Sequence, residues 1–308
     1  MQSDQILLHH YPQSPVAEKV RVSLGIKGVT WKSVLIPRLP PKPNLMPLTG
    51  GYRLTPVMQI GADVYCDSAC IQMELERRFP QSIPNTETPQ DMTWEGQPWS
   101  DGLLFKDVVT VALVEMSPNM PPEFLADRGP LYFGADFSLD SLKADYDGSL
   151  AKIGDQFGWM NERLKNHDFM LGTQPSLQDA RVYYLLWFLR DRMAQGASFL
   201  SPFKNLEHWE QRVKNIGHGT FEDLSDLKAL EIAKNTEPTT PKHAGANHLQ
   251  GLNLGDKVTA QPVSGGPQVA GTLHSLTAER LSILRHDENV GNVCVHFPCA
   301  GYLVKADP

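Results

Sequence analysis

The chain has 308 residues, 41% hydrophobic and 20% charged, with a formal net charge of −7. That length suits two or three domains, and the apolar fraction is enough for packed cores, so wholesale disorder is excluded. A negative balance without a long Lys/Arg block leaves no footprint for nucleic acid and no polybasic dock for a membrane surface.

The first residues, Met1-Gln2-Ser3-Asp4-Gln5, are polar, and only Ile6, Leu7 and Leu8 follow before two histidines. This is too short for a secretory signal. The longest apolar stretch, 182–189, is far below the ~20 residues of a membrane-spanning helix. Four cysteines (Cys66, Cys70, Cys294 and Cys299) are too few for a disulfide scaffold. A soluble, cytoplasmic protein with reduced thiols is expected.

In chain order, 6–10 reads as a buried strand closed by Tyr11-Pro12. Ser14-Pro15 then opens a helix, with serine as N-cap and proline at the first helical position, where its missing N–H has no intrahelical role. Val16, Val20 and Leu24 give that helix one apolar face, and Gly28 stops it. A second strand covers 31–36. Residues 37–51 carry five prolines and end in Gly50-Gly51, an extended loop. Runs at 57–60 and 63–66 flank Gly61-Ala62 and predict a hairpin. Asp67-Ser68 caps another helix, with Ile71, Leu75 and Phe79 on one face and Pro80 as its stop. Strand–helix–strand implies a parallel pair, and the hairpin adds an antiparallel edge.

Residues 81–100 have the Pro/Thr/Gln/Asp texture of a linker. From 101 to 235 the pattern is helical, with prolines and glycines predicting an interruption over 117–138. The strongest helix is 176–193. Ser176 and Asp179 have capping-box spacing, and the helix is apolar almost all round, as the centre of a bundle must be. A second linker covers 235–250. Beyond 252, short alternating runs at 257–260, 280–284 and 293–297 are separated by turn residues and predict a small all-β module. About 55 residues is marginal for independent stability, so this module is expected to dock on the rest.

Four motifs recur in one order. They are Ser14-Pro15-Val16-Ala17-Glu18-Lys19-Val20, Thr55-Pro56-Val57-Met58, the acid-Ser pair Asp67-Ser68, and Leu171-Gly172 with Pro175-Ser176-Leu177-Gln178-Asp179-Ala180. Together, over about 235 residues, they resemble the serine-type glutathione transferases. The resemblance implies an α/β thioredoxin-like domain at 1–82 that binds glutathione, an all-helical domain at 98–235, and the appended small, β-barrel-like module at 251–308. It implies binding of reduced glutathione as co-substrate and transfer of its thiolate to a small electrophile, in a dimeric, detoxifying enzyme with no metal. The acceptor would sit between the domains, against the helical bundle.

By that resemblance Ser14, at a helix N-terminus, donates a hydrogen bond to the glutathione thiolate, where free N–H groups and the helix dipole favour an anion. Read alone, Ser14 is a simple N-cap. Tyr11 is its rival as donor, since some members of the family use a tyrosine at the end of the first strand; read alone, it is a packing residue with a polar tip. Thr55 would pair its backbone with the cysteinyl part, with Pro56 cis. Asp67 would meet the γ-glutamyl ammonium and Ser68 its carboxylate. Arg53 or Lys42 could meet the glycyl carboxylate, although the loop at 37–53 departs from the family pattern in its length and prolines.

Cys66 and Cys70 read as buried structural thiols. Cys294, His296 and Cys299 cluster without an obvious fourth ligand for zinc, so no metal is expected. His9-His10 reads as structural. A non-catalytic glutathione-binding scaffold and a glutathione-dependent isomerase or dehalogenase are the alternatives in function.

Overall fold

The computed structural model describes residues 4–80, 99–239, 243–244 and 251–307. The linker reading over 81–98, and most of that over 235–250, lies outside the described residues. Two compact units are present. One gathers residues up to 20, 29–78 and 220–308, and the other gathers 21–28 and 79–219. The sequence reading and the contacts therefore divide the chain at different places.

β1 (Ile6–His10) is buried at every position, as its apolar start requires. It is followed by α1 (Pro15–Ile26) and β2 (Thr30–Leu35), which pairs with β1 in parallel. The 37–51 loop is not wholly extended. It contains one helical turn, α2 (Met46–Thr49), with Pro47 in its first turn, where a missing N–H is tolerated. Gly50 ends the turn at φ 71, a left-handed conformation that favours glycine. β3 (Val57–Ile60) and β4 (Asp63–Cys66) form the expected hairpin around Gly61 at φ 59, and α3 (Ser68–Arg78) follows.

The helical unit holds α4 (Phe105–Met116), α5 (Pro122–Phe133), α6 (Leu139–Arg163), α7 (Leu177–Arg192), α8 (Gly196–Leu200) and α9 (Lys204–Ile216). Where the sequence suggests an interruption over 117–138, the chain makes a short turn at Ser117–Asn119 and then the twelve-residue α5. Proline at its first position starts that helix, and Gly134 ends it. The capping box of α7 is formed. Asp179 accepts from the Ser176 N–H at 2.8 Å, from the Met170 N–H at 2.8 Å and from the Trp209 indole at 2.7 Å. One acid thus ties the start of α7 to α9. The unit's core includes Val108, Ile153, Phe157, Leu185 and Trp209.

The chain then returns to the first unit through β5 (Thr220–Asp223), which adds to β2 in parallel, and α10 (Asp226–Lys234). The two-residue β6 (His243–Ala244) precedes β7 (Lys257–Pro262), β8 (Val269–Leu276), β9 (Arg280–Asp287), β10 (Gly291–Pro298) and β11 (Tyr302–Ala306). These last strands continue the first sheet. β10 pairs in parallel with β4, giving the order β11-β7-β8-β9-β10-β4-β3-β1-β2-β5. The hairpin edge expected at β4 is therefore interior.

A shared core makes the join firm. Val57 and Val64 pack with Val293, Val295 and Phe297 of β10, and with Leu45, Leu48 and Tyr52 from the segment before β3. On the opposite face of β10, His296 Nε2 lies 2.9 Å from Asp63 Oδ1, and its Nδ1 lies 2.8 Å from the Ser282 hydroxyl of β9. Arg280 of β9 reaches the buried Glu74 of α3 at 2.8 Å. Among the described residues, no helix is long and apolar enough to cross a membrane.

Candidate functional site

The register of four strands assembles the site. β1 runs antiparallel to β3, and β3 antiparallel to β4, so β1 and β4 point the same way. His9 pairs with Val57, and Val57 with Cys66. The residues just past these pairs therefore lie at one end of the sheet: Tyr11 after β1, Pro56 before β3 and Asp67 after β4. Both α1 and α3 begin at that end. Two helix N-termini, each with N–H groups that lack an intrahelical acceptor and with a positive dipole end, thus flank the start of β3.

At the start of α1, the Ser14 hydroxyl accepts from the Ala17 N–H at 3.2 Å, and its carbonyl accepts from the Glu18 N–H at 3.0 Å. This is the N-cap geometry. A capping hydroxyl still has its own proton to donate. Ser14 is 2% exposed and Tyr11 8%, so both hydroxyl-bearing residues are largely packed in. Beside them lies Lys42, which is buried. Its ammonium donates to the Arg53 carbonyl at 2.9 Å and to Thr55 Oγ1 at 2.8 Å, and sits 5.8 Å from the centre of the Tyr11 ring. Lys42 therefore fixes the segment that leads into the cis Thr55–Pro56 bond. Arg53 contributes its backbone to this arrangement and keeps a half-exposed position.

At the start of α3, Asp67 has φ 76, the left-handed region that a non-glycine residue rarely adopts. Such strain persists only where surrounding contacts enforce it, and it concentrates at ligand sites. Asp67 Oδ1 accepts from the Ala69 N–H at 2.8 Å, capping the helix, and Ser68 is its buried first residue. Asp67 Oδ2 accepts from the Tyr302 hydroxyl of β11 at 3.3 Å. Burial pushes both Tyr302 and the nearby Tyr52 well above the usual phenol range, so both stay protonated. Sequence reasoning missed Tyr52 and Tyr302, which come near Asp67 only through sheet pairing.

Cys66 and Cys70 are buried, and burial raises both thiols well above their ordinary range, which keeps them neutral. Burial pushes the Cys299 thiol up to about 11, and it donates to the Thr277 carbonyl. The sequence grouping of Cys294, His296 and Cys299 is replaced by Asp63, Cys294 and His296, whose ligand-type atoms lie within 4.8 Å of one another. Both ring nitrogens of His296 have protein partners. Burial holds the imidazole neutral, with Nε2–H toward Asp63 and Nδ1 accepting from Ser282. Burial works to raise the Asp63 carboxyl, but the bonds from His296 and Thr239 more than offset it and keep it ionised. This cluster reads as a polar clamp across the β4–β10 join.

His9 is also structural. Its Nε2–H donates to Gln59 Oε1 at 2.9 Å, and Gln59 Nε2 donates in turn to the Gly61 and Ala229 carbonyls, each at 2.9 Å. Burial lowers the His9 imidazole to about 4, against a smaller upward pull from Gln59 and Asp226. His10 bonds the Ser33 hydroxyl at 3.1 Å.

The glutathione S-transferase N-terminal domain matches residues 8–83, and the glutathione S-transferase C-terminal domain matches residues 143–212. A solved GST-like protein from Pseudomonas syringae is 34% identical, covering 99% of this chain and 100% of that one, with a TM-score of 0.74. That match includes the C-terminal strands. A glutathione transferase family member from Pseudomonas fluorescens, solved with two glutathione bound, shares the fold at 11% identity and a TM-score of 0.53, over 70% of this chain and 93% of that one. A glutathione S-transferase from Rhodospirillum rubrum does so at 16% and 0.51, over 68% and 88%. No curated protein matches. With domain matches in both halves and a full-length relative at 34% identity, the chain belongs to the glutathione S-transferase family.

Proposed function

We propose that this protein binds reduced glutathione and transfers its thiolate to a small electrophile. The observation that carries the reading is the meeting of two helix N-termini, at Ser14 and at Asp67-Ser68, on either side of Thr55-Pro56 at one end of the sheet. Two anionic groups fit there: the thiolate at α1 and the γ-glutamyl carboxylate at α3. Thr55 lies just beyond the last β3 ladder pair, where its backbone would meet the cysteinyl part as an added strand. Asp67 would take the γ-glutamyl ammonium, Ser68 the carboxylate and Arg53 the glycyl carboxylate. Lys42, bonded to Thr55 and to the Arg53 carbonyl, organises the loop.

In the reaction the glutathione thiol loses its proton to solvent. Ser14 donates a hydrogen bond to the resulting thiolate and α1 stabilises its charge. The sulfur then forms a bond to the electrophilic carbon as the leaving group departs with its electron pair. The same reading takes the protein as a cytoplasmic homodimer engaged in detoxification.

The test is retention on immobilised glutathione, followed by conjugation of a generic aromatic electrophile, for wild type, Ser14→Ala and Tyr11→Phe. Failure to bind glutathione sinks the reading. A fully active Ser14→Ala with a dead Tyr11→Phe would transfer the donor role to Tyr11. The burial of Ser14 favours one second reading, a glutathione-binding protein without transferase activity, and binding without conjugation would establish it.

A further inference from the structure

We infer that Tyr302, on the last described strand, is a positioning residue of the glutathione site: it holds the Asp67 carboxylate in the orientation that meets the γ-glutamyl ammonium. This deepens the proposed function and rests on its assignment of Asp67.

Asp67 sits in an unfavourable backbone conformation, at φ 76, which persists only where surrounding contacts hold it. Two of its hydrogen bonds fall on different oxygens. Oδ1 is tied to the Ala69 N–H at 2.8 Å, within its own helix turn. Oδ2 is tied to the Tyr302 hydroxyl, from a residue 235 positions away. Bonds to both oxygens fix the plane of a carboxylate. A hydrogen bond to a charged acceptor is also stronger than a neutral one.

The tyrosine is itself held. Its ring lies against Phe297 with centroids 5.1 Å apart, and Phe297 meets the Tyr52 ring edge-on at 5.7 Å. Tyr52 lies three residues before Thr55. Phe297 thus packs against both Tyr302, which bonds Asp67 at the start of α3, and Tyr52, in the segment leading into β3. At 3.3 Å the Tyr302–Asp67 bond is long for O–H···O. The C-terminal strands are on this account part of the glutathione site as well as of the core.

The experiment is calorimetric titration of wild type and Tyr302→Phe with two ligands: reduced glutathione, and its deamino analogue in which a glutaryl group replaces γ-glutamyl. Tyr302→Phe removes one oxygen and keeps the ring against Phe297. The expected result is about tenfold weaker glutathione binding, the scale of one charge-assisted hydrogen bond, with the analogue changed less than about twofold. Equal losses for both ligands would make Tyr302 merely structural, and no loss for either would remove it from the site; each overturns the inference. Wild type that binds glutathione no better than the analogue would overturn the role of Asp67, and the inference with it. Wild type that binds neither ligand would fell the glutathione reading itself. Should Tyr302→Phe lose its cooperative melt, Phe297→Leu, which loosens the packing of the Tyr302 ring, takes its place, with a smaller loss, about threefold, again confined to glutathione.

Discussion

The starts of α1 and α3 lie at the same end of one sheet, yet they are built differently. The start of α1 is completed within its own neighbourhood, by Ser14 accepting from Ala17 and by the turn bond from the Ser14 N–H to the Tyr11 carbonyl. The start of α3 is completed from afar, because Asp67 is strained and its second oxygen is held by Tyr302. A locally finished cap can be read and altered alone. A remotely finished one shares its fate with a strand more than two hundred residues away.

The largest expected break in that comparison is Phe297→Ala. Phe297 is 1% exposed and supports both Tyr52 and Tyr302. Truncation should cost about 3–5 kcal/mol in urea unfolding at neutral pH and weaken glutathione binding in the folded fraction. Next is Ser14→Ala, which should lower conjugation about 100-fold, as loss of one preorganised donor does, while costing only about 1 kcal/mol of stability as a lost cap. Turnover and melting on the same preparation check the pair.

A pH series then probes the strand that leads to Ser14. The imidazole of His9 titrates near 6.5 when unfolded and at about 4 when folded, so the folded state disfavours its protonation. Its contribution is therefore complete above about pH 6.5 and is lost as pH falls toward 4. About 2 kcal/mol should be gone by pH 5, and His9→Gln should flatten that limb of the stability profile. The smallest effect expected is that of Asp67→Asn. Asparagine caps as well as aspartate, so stability should hardly move, while glutathione affinity falls about tenfold in titration.

Legibility in the sequence follows the same division. β1, α1, the β3–β4 hairpin and α3 were readable because each is set by residues within a few positions: Ser14-Pro15, Gly61 and Asp67-Ser68. The capping box at Ser176 and Asp179 was readable for the same reason. The one-turn α2 was hidden among prolines, and β5 was hidden because Thr220-Phe221-Glu222-Asp223 is short and polar, its pattern set by an edge position. The join of β10 to β4 was not read, although one signal was present. Val293, Val295 and Phe297 fill one face while Cys294 and His296 fill the other, and a strand buried on both faces belongs inside a sheet with neighbours on both sides. Which strand it would join depends on pairing across the whole chain, and that pairing also places Tyr302 beside Asp67.

The β4–β10 pairing also bears on how the chain is made. Asp63 and His296 are 233 residues apart. At synthesis rates of about 5–20 residues per second, the ribosome needs roughly 10–50 s to supply the second after the first. During that interval the nascent sheet ends at β4, with an open edge and with Val57 and Val64 lacking their partners from β10. The helical unit, encoded in between, draws on its own core and has no such wait. The middle of this chain can thus reach its native form before the beginning does, and the first unit relies on protection from aggregation until its last strands are delivered.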